Sequence, residues 1–597
     1  MCGIAGVFGW RASGRAPDRE VLIGVRDQMA SRGRDGVGLW SSADGRAIFG
    51  HRRLAIIDVD QRSDQPLSRG PLTIIFNGEI YNYRELRAEL VEQGVALSTQ
   101  GDTEVILALF ERDGPAAFAK LRGMFALAIF DERDASLTVA RDPYGIKPLY
   151  LSEVDGQLWF ASQVKALRTV AAISSEPDPA GLTGFHLWGS VPEPFTLYRA
   201  IRALPAGHWQ RVSQDGLGTP TRFESLAAIL SEAEIAPADE TEARIAEAVR
   251  DSVAAHLVAD VEVGIFLSAG IDSCALLGAM ANGGTRRVKA ITIGFEEYDG
   301  SRLDEVPIAA RMAERYGAEH IVDRLSRADI EANLEAILSS MDQPSIDGVN
   351  SWFASRAAVR AGLKVAVSGL GADELLAGYS TFDTIPALHR RARWVTKLPG
   401  AAAIAEWALN NGLKRLDARQ PKASGVLRYG ATLPGAYFVR RALLMPSGLS
   451  DVLDEEVLRA GLAELRPIER VAETIEPAPP SDVAAMMALE SGNYMKNQLL
   501  RDADWSSMAH TLELRVPFVD VPTLRKVASV APWLGGRRGK RALAAVPSPP
   551  LPDEIVNRPK SGFATPMNTA IGRTGAIDGS GSRSWARRVI EDFKRNG

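Results

Sequence analysis

The chain opens with the stretch MCGIAGVFG (residues 1–9), in which a cysteine directly follows the methionine. The apolar residues Ile4, Val7 and Phe8, separated by glycines, predict a short buried strand that holds the start of the chain in a core. Once the methionine is removed, Cys2 carries both a thiol and an α-amino group, and an amine with a pKa of about 7.7–8.0 can act as a base beside its own nucleophile. The alternative is a terminal cysteine without a function, and its position alone does not decide between the two.

The composition excludes several classes of protein. At about 100–200 residues per domain, 597 residues correspond to two to four domains. A hydrophobic content of 46% is typical of folded chains, and a net charge of −5 argues against a nucleic-acid partner. No apolar run is long enough to span a membrane, and we expect no signal peptide. Since Cys2 and Cys274 are the two cysteines, a disulfide framework is excluded and a reducing, cytoplasmic location is expected.

Five short segments follow Cys2 in a characteristic order: SRGRDG (31–36), GHRRLAIID (50–58), IIFNGEIYN (74–82), GDTEV (101–105) and RDPYGIKPLY (141–150). Taken alone, the Asn-Gly pair indicates only a hairpin turn. In this order and spacing, the set resembles the class II glutamine amidotransferase domain, an N-terminal-nucleophile hydrolase. The resemblance covers residues 2–210 and implies an αββα sandwich.

The same resemblance implies roles for three residues in glutamine hydrolysis. Cys2 would attack the carboxamide carbon of glutamine and form a thioester. The Asn77 side chain and the Gly78 backbone N–H would hold the oxyanion, and donors of this kind stabilise the charge that develops in the transition state.

Three further residues would bind the two charged groups on the α-carbon of glutamine. Arg53 would hold the α-carboxylate, because a guanidinium group pairs with a carboxylate through two hydrogen bonds. Glu79 and Asp102 would bind the α-ammonium group. Without the motifs, Arg53 and Asp102 would be interpreted as members of surface ion pairs. One departure from the family is Arg34, which stands where the family usually has a proline.

A second domain is predicted after a change of composition at residues 211–240, which we interpret as a linker. Apolar residues recur every four positions from Ile245 to Leu257 and predict a helix. A strand over 261–267 then leads into the turn SAGIDS (268–273) and an apolar helix that begins at Cys274, which we interpret as a small core residue.

A strand, a turn of small residues and a helix together place backbone N–H groups and a helix N-terminus around an anion. Ser268 and Ser273 add hydroxyl donors, whereas Asp272 would repel phosphate unless Mg²⁺ bridges the two. The turn lacks the ending of a Walker loop. It resembles the pyrophosphate loop of the N-type ATP pyrophosphatases, with Ala269 in place of the first glycine, although an ordinary strand-to-helix turn is the alternative.

Three later segments support a nucleotide site: KAITIGF (289–295), KVAVSGLGADE (364–374) and RPKSGF (558–563). Short apolar strands that alternate with helices predict a doubly wound parallel sheet. Ligands on such sheets bind at the carboxyl ends of the strands, so the turns that follow these strands are expected to converge.

Together with the first domain, residues 241–575 resemble the synthetase half of glutamine-hydrolysing asparagine synthetase, a fold of the adenine nucleotide α-hydrolase type with additional helices. The resemblance implies ATP as co-substrate and Mg²⁺ as cofactor, with Asp272 and Asp373 as the metal ligands. The ATP-binding residues that it implies are Phe266, Ser268, Gly270, Asp272, Ser273, Ile293, Ser368, Gly369 and Lys560. The segment 499–518 matches the same family, and there we interpret Glu513 and Arg515 as a structural ion pair.

Leu370 is the most informative departure. Asparagine synthetases commonly carry Glu or Asp between the two glycines of this turn, and leucine can neither accept a proton nor pair with an ammonium ion. Aspartate remains the expected acceptor. The alternative is another carboxylic acid, such as a sugar uronate in a surface polysaccharide or a precursor in specialised metabolism. A non-catalytic sensor, or a glutaminase without synthetase activity, is the third reading.

The predicted protein is therefore a two-site ligase that uses glutamine, ATP and a carboxylic acid, with a homodimer as the candidate assembly. Free ammonia is mostly protonated near neutral pH, so we expect an enclosed apolar passage between the sites. Residues 381–480 are expected to be helical, and residues 576–597 to form a poorly ordered tail.

Overall fold

The computed structural model describes residues 2–10, 17–284, 287–396, 421–559 and 581–596. The predicted Lys560 lies outside these ranges. Thirteen strands of the N-terminal part are described: β1 (Gly3–Gly9), β2 (Gly36–Ser41), β3 (Ala47–Arg53), β4 (Leu67–Arg69), β5 (Leu72–Ile80), β6 (Gly123–Asp131), β7 (Ser136–Arg141), β8 (Tyr150–Val154), β9 (Gln157–Ala161), β10 (Arg202–Ala203), β11 (His208–Ser213), β12 (Gly216–Leu217) and β13 (Thr221–Arg222).

These strands form two stacked antiparallel sheets. The first has the order β10-β8-β9-β1-β3-β2, and the second has the order β12-β11-β7-β6-β5-β4 with β13 paired to β11. Between the sheets, Phe8 packs against Phe130 with ring centroids 5.8 Å apart. Helix Arg19–Gln28 covers the outer face of the first sheet, and helices Tyr83–Glu92 and Asp102–Asp113 cover that of the second. The predicted αββα sandwich is confirmed.

Strand β1 is a central strand, paired with both β3 and β9. All seven of its residues are buried, which fixes the residue before it in the interior. A Cβ atom on Gly6 would lie 2.2 Å from the Phe160 ring, so the glycine allows this ring to pack directly against the backbone of β1. The buried strand that the opening sequence predicts is present.

The C-terminal part contains a parallel sheet of five strands in the order β16-β15-β14-β17-β18. The strands are β14 (Val263–Phe266), β15 (Lys289–Phe295), β16 (Glu319–Leu325), β17 (Val365–Val367) and β18 (Glu513–Arg515). Helix Ile271–Gly283 follows β14, and a short helix, Ala372–Leu375, follows β17. The doubly wound parallel sheet is confirmed, and its turns 268–270 and 368–371 both follow the carboxyl ends of strands.

The remaining α-helices are Val164–Leu167, Pro179–Trp188, Leu226–Ser231, Thr241–His256, Val306–Arg315, Arg327–Ser340, Val349–Arg360, Thr381–Thr396, Pro421–Tyr429, Leu433–Arg441, Glu455–Leu465, Pro467–Glu473, Asp482–Leu489, Arg501–Met508, Val521–Ala528, Arg538–Ala544, Asp553–Val556 and Gly581–Asn596. A π-helix spans Glu490–Leu500. The 3₁₀ turns are Ala30–Arg32, Gln61–Ser63, Gly114–Lys120, Ala238–Glu240, Glu296–Tyr298, Pro446–Asp451 and Ala531–Trp533. The described part of 381–480 is largely helical, as its sequence predicts.

Two segments differ from their predictions. The predicted linker 211–240 includes β12 and β13, which extend the second antiparallel sheet, and the helix Leu226–Ser231. The predicted tail 576–597 includes the helix Gly581–Asn596, which buries Trp585 and Val589 against the rest of the protein. In both cases apolar residues within a polar composition find a surface to cover, and composition does not show that surface.

The two parts of the chain share a hydrophobic core. Tyr81, Met124 and Tyr144 of the antiparallel half belong to the same buried cluster as Ile265 and Leu267 of the parallel half. Charged contacts cross the same boundary, including the pair Arg122–Asp520 at 2.8 Å. The two halves therefore meet along a broad and partly apolar interface.

Two candidate active sites

The candidate glutamine site is formed by Cys2, Arg53, Asn77, Gly78, Glu79 and Asp102. Cys2 is buried, with 6% of its surface exposed, and its backbone N–H donates to Asn77 Oδ1 over 2.9 Å. Arg32 Nε donates to the Cys2 carbonyl oxygen over 3.1 Å. Both contacts hold the residue at a fixed place beside β5, while its thiol lies 4.0 Å from the Leu54 carbonyl. Burial raises the pKa of the Cys2 thiol, so forming the thiolate requires a base.

Asn77 is fully buried, and its Nδ2 has no hydrogen-bond partner among the described residues. An unpaired buried donor costs about 1–3 kcal/mol, and in a native structure it marks a place where something else accepts the bond. The next residue, Gly78, permits a close approach of two strands, because a Cβ there would lie 2.0 Å from the Met124 carbonyl oxygen. The hydrogen bond between Cys2 and Asn77 therefore places Asn77 and Gly78, the two predicted oxyanion donors, next to Cys2.

Arg53 is buried at the end of β3. Its Nη1 donates to the Asp60 carbonyl over 3.0 Å and to Asp64 Oδ1 over 2.7 Å, and its Nη2 donates to the Asp58 carbonyl. Asp64 is half exposed, at 51%, so a substrate carboxylate can replace it at Nη1. Arg53 is therefore held by backbone contacts that survive such an exchange.

Asp102 and Glu79 are two further buried carboxyl groups of this site. Asp102 Oδ2 accepts the Ile80 N–H over 3.0 Å, and burial raises the pKa of Asp102 to about 6. Burial also raises the pKa of Glu79, and the negative charges of Glu513 and Asp102 add to this effect. Glu79 Oε2 has no hydrogen-bond partner among the described residues and lies 3.9 Å from Arg515 Nη2. Two buried acidic groups, of which Glu79 has an oxygen without a partner among the described residues, fit a ligand that carries an ammonium group.

The candidate ATP site is formed by the turns after β14 and β17. The Ser268 N–H donates to Ser273 Oγ over 3.0 Å, and the two hydroxyls lie 2.9 Å apart. The Gly270 N–H donates to Ser268 Oγ over 3.2 Å, which closes the turn on itself. A Cβ on Gly369 would lie 3.1 Å from the Asp272 Cβ, so the two turns touch where the sequence carries glycine. The convergence that we predict for these turns is present.

Lys540, on helix Arg538–Ala544, lies between the two predicted metal ligands. Its Nζ is 2.5 Å from Asp272 Oδ1 and 2.8 Å from Asp373 Oδ1. Burial opposes its charge, but the two carboxylates more than compensate and raise the pKa of Lys540. The sequence analysis missed this residue. The sequence offers only the basic run RRGK (537–540), which does not single out Lys540. In the structure, a Cβ on Gly378 would lie 2.2 Å from the Lys540 Cε.

The donor set of Asp272 and Asp373 fits Mg²⁺. Within the described ranges, no group of three or more His, Cys, Asp or Glu side chains is placed to hold a metal ion by itself. Magnesium usually binds through one or two carboxylates together with the phosphates of a substrate, which this pair of aspartates matches. The Lys540 ammonium group occupies the position of a cation between them.

The other predicted nucleotide contacts lie around these turns. Phe266 is half-buried at the end of β14, and Ile293 is buried within β15. The Leu370 N–H donates to Ser368 Oγ over 3.3 Å, and its side chain packs in the core beside the turn. Leu370 therefore places an apolar group where the family resemblance leads us to expect a carboxylate.

Glu193, Tyr494 and Lys496 line part of a cavity of about 880 Å³, and none of the described candidate ATP-site residues belongs to its lining. Tyr379 contacts both regions: its hydroxyl donates to Glu374, next to Asp373, over 2.9 Å, and its ring lies 6.4 Å from that of Tyr494. Basic side chains outnumber acidic ones five to three in the lining of the cavity.

A second, small cavity lies between this large cavity and Cys2. Glu193 and Lys496 line both cavities, and Asp504 lines the small one. Asp504 forms two hydrogen bonds with Arg32, at 2.7 and 3.0 Å, and Arg32 contacts the Cys2 carbonyl. Apolar residues, among them Ile146, Pro148 and Trp505, line the small cavity together with these charged groups. The apolar passage between the sites stays a prediction.

Comparison with known proteins agrees with the geometry. Residues 1–223 match the family model described as a glutamine amidotransferase domain, and residues 244–592 match the model described as asparagine synthase. Asparagine synthetase [glutamine-hydrolyzing] 1 of Bacillus subtilis is 32% identical over 100% of this chain and 89% of its own length. Asparagine synthetase [glutamine-hydrolyzing] 3 of the same organism is 28% identical, over 94% of this chain and 87% of its own.

A further relative has a different name. Amidase chry2 of Gibberella zeae is 26% identical over 95% of this chain and 89% of its own length.

Among the residues that the structure describes, every helix is too short or too polar to cross a bilayer. The resemblance inferred from the motifs is confirmed along the whole chain.

Proposed function

The chain belongs to the asparagine synthase family of glutamine-hydrolysing ligases, and on that premise we propose that its acceptor is aspartate. The reaction would convert aspartate, glutamine and ATP into asparagine, glutamate, AMP and pyrophosphate. The two-site proposal rests on one observation: a single chain contains both a cysteine site and an aspartate site with defined side-chain contacts. The Cys2 N–H donates to Asn77 Oδ1, while Asn77 Nδ2 has no partner among the described residues. Asp272 and Asp373 share Lys540 beyond the carboxyl ends of β14 and β17.

In the first half-reaction, the Cys2 sulfur would attack the carboxamide carbon of glutamine. After removal of the methionine, the Cys2 α-amine would accept the thiol proton and later deliver it to the departing ammonia. Asn77 Nδ2 and the Gly78 N–H would donate to the oxyanion, and water would then hydrolyse the thioester to glutamate.

Substrate binding at this site would be shared between three side chains. Arg53 would exchange Asp64 for the glutamine α-carboxylate, a step that its two backbone contacts support. Asp102 and Glu79 would hold the α-ammonium group, which explains why two acidic groups are buried side by side.

In the second half-reaction, a carboxylate oxygen of the acceptor would attack the α-phosphorus of ATP and displace pyrophosphate. Asp272 and Asp373 would hold Mg²⁺, which supplies positive charge to the phosphates. Lys540 would turn from the aspartates towards the phosphates, and Lys560 is proposed as a second cation there. Ammonia would then attack the acyl carbon and release AMP.

The remaining predicted residues would bind the nucleotide. Ser268, Gly270 and Ser273 would donate to the leaving pyrophosphate at the N-terminus of helix Ile271–Gly283. Backbone atoms of Phe266, Ile293, Ser368 and Gly369 would contact the adenine and the ribose.

A second candidate function is the amidation of a larger carboxylic acid by the same two steps. Two observations favour it: an apolar side chain, Leu370, stands in the turn, and the synthetase half borders a cavity of about 880 Å³ with a net basic lining. Pockets for drug-sized ligands have volumes of about 300–1,000 Å³, so this space exceeds what aspartate needs.

One assay separates the candidates. The protein is incubated with glutamine, MgATP and aspartate, and glutamate, pyrophosphate and asparagine are measured over time. Asparagine and pyrophosphate in step with glutamate are expected. Glutamate could instead form without asparagine, with pyrophosphate released only when another carboxylic acid is supplied. That result would favour the second candidate function over asparagine synthesis. Glutamate without pyrophosphate for any acceptor would contradict the synthetase reaction itself.

A further inference from the structure

Arg515, on the edge strand β18 of the parallel sheet, reaches into the candidate glutamine site. The residue is fully buried, and its Nη2 lies 3.9 Å from Glu79 Oε2. Neither of these two atoms has a hydrogen-bond partner among the described residues. The guanidinium carbon lies 5.5 Å from the centre of the Tyr81 ring, two residues after Glu79. A side chain of the synthetase half thus faces the glutamine site.

The other nitrogens of Arg515 are fixed by the synthetase half. Its Nε donates to Glu513 Oε1 over 2.6 Å. Its Nη1 donates to the carbonyl oxygens of His256 and Val258, each over 2.7 Å. Because three bonds set the plane of the guanidinium group, the direction of Nη2 towards Glu79 follows any movement of β18.

The backbone of the same residue is bonded to the candidate ATP site. The Ser368 N–H donates to the Arg515 carbonyl oxygen over 2.8 Å, and Val367 pairs with Arg515 between β17 and β18. Ser368 begins the turn whose Gly369 touches Asp272. One residue therefore contacts the ATP turn through its carbonyl and faces the glutamine site through its side chain.

We propose that Arg515 is a positioning residue that orients Glu79 for the glutamine ammonium group and makes glutamine binding depend on the occupancy of the ATP turn. The inference rests on the proposed functions of the two sites. Glu79 is flanked by the carboxyl groups of Asp102 and Glu513, which disfavour its negative charge, and Arg515 opposes that effect. In a buried environment the attraction between Arg515 and Glu79 changes steeply with distance, so a small shift of the turn changes the strength of the ammonium site.

The experiment measures KM and kcat for glutamine hydrolysis with and without MgATP, in the full chain. In the parent protein we expect MgATP to change KM for glutamine by about fivefold or more, the usual lower range of coupling between two sites. In Arg515→Met we expect KM without MgATP to rise about tenfold, equivalent to about one pKa unit of interaction, with kcat nearly unchanged. MgATP should then no longer alter KM. Arg515→Lys, which keeps the charge, should recover part of the loss.

Arg122→Met is the matched control, because Arg122 joins the same two halves of the chain through Asp520 and Asp251. It should keep the parent's response to MgATP. A parent KM that ignores MgATP, an Arg515→Met variant that still responds, or an Arg122→Met variant that loses the response equally would overturn the proposal. Should Arg515→Met fail to fold, Arg515→Lys decides: a response equal to the parent's would overturn the proposal, and a reduced one supports it.

Failure of the proposed function would look different. The parent protein would then release no glutamate from glutamine, or would bind no MgATP in a calorimetric titration. Neither result depends on Arg515.

Discussion

The two candidate sites leave their charges in opposite states. In the glutamine site, Asn77 Nδ2 and Glu79 Oε2 are buried without hydrogen-bond partners among the described residues. In the ATP site, Asp272 and Asp373 are already bridged by Lys540. On the proposed function, the first site would be preorganised for glutamine, whereas in the second Lys540 would have to rearrange when phosphates bind.

The difference follows from the ligands that the two sites would hold. Glutamine brings one positive and one negative group, so a few fixed partners would suffice. ATP brings several negative charges, and two carboxylates without a cation beside them would repel it. Lys540, which pairs with both aspartates, would supply positive charge to the phosphates.

The largest expected effect separates the two sites completely. Cys2→Ala should abolish glutamine-dependent product formation and leave synthesis from added ammonia unchanged. The substitution removes a thiol that lies 4.0 Å from the Leu54 carbonyl oxygen, and it keeps the N–H bond to Asn77, so the fold should survive. Product formation is measured with glutamine and with an ammonium salt in parallel. Loss of both activities in a folded variant would contradict the existence of two separate sites.

A smaller loss is expected when the bridge in the ATP site is broken. Lys540→Met should lower ammonia-dependent pyrophosphate release by about 10²–10³-fold, the usual effect of removing one group that stabilises developing charge. Glutamine hydrolysis without ATP should remain. The variant should also unfold at a lower temperature, because removing one partner of a buried ion pair costs up to about 3–5 kcal/mol.

Lys526→Met is the matched control for this prediction. Lys526 belongs to a nearby helix and pairs with Glu247, whose side chain is 68% exposed. Its loss should leave both activities and the melting temperature almost unchanged, since exposed pairs contribute about 0–1 kcal/mol. Equal effects of the two variants would mean that Lys540 has only a structural role.

The comparison also shows which parts of the molecule the sequence could predict. The opening strand, the turns after β14 and β17 and the parallel sheet were predictable, because periodicity and glycine positions are local properties. The αββα sandwich and the candidate residues Cys2, Asn77 and Asp102 followed instead from the family resemblance of short motifs. Their neighbours across the chain were not: Arg32 pairs with Asp504, and Arg515 faces Glu79, over hundreds of residues of sequence separation.

Lys540 illustrates the same limit within one site. Nothing local distinguishes it from the other basic residues of its helix, and only the close packing at Gly378 places its ammonium group between Asp272 and Asp373. The interpretation of Glu513 and Arg515 as an ion pair was correct, at 2.6 Å. The sequence did not indicate that the same arginine faces the glutamine site, because that contact depends on how the two halves dock.

The smallest expected effect concerns pH and sharpens the account of the glutamine site. Asp102 binds an ammonium group only as a carboxylate, and burial raises its pKa to about 6. As the pH falls through 6 the carboxyl group gains a proton, so KM for glutamine should rise by about tenfold for each further pH unit. Burial raises the pKa of the Cys2 thiol, so kcat should increase with pH on the alkaline side of neutrality.

KM and kcat for glutamine hydrolysis are measured between pH 5 and 9 in the parent protein and in two variants. One variant replaces the Asp102 carboxyl group, and the other removes a neighbouring hydrogen-bond donor. Asp102→Asn should raise KM at neutral pH and remove the acidic limb, since no proton is gained. The Thr103 hydroxyl donates to Asp102 Oδ1 over 3.3 Å and thereby stabilises the carboxylate form. Thr103→Val removes this donor and should raise the pKa of Asp102. Its acidic limb should therefore move to higher pH, by less than one unit. An acidic limb that persists in Asp102→Asn would assign the titration to another group, and Glu79, with its pKa also raised by burial, would be the next residue to substitute.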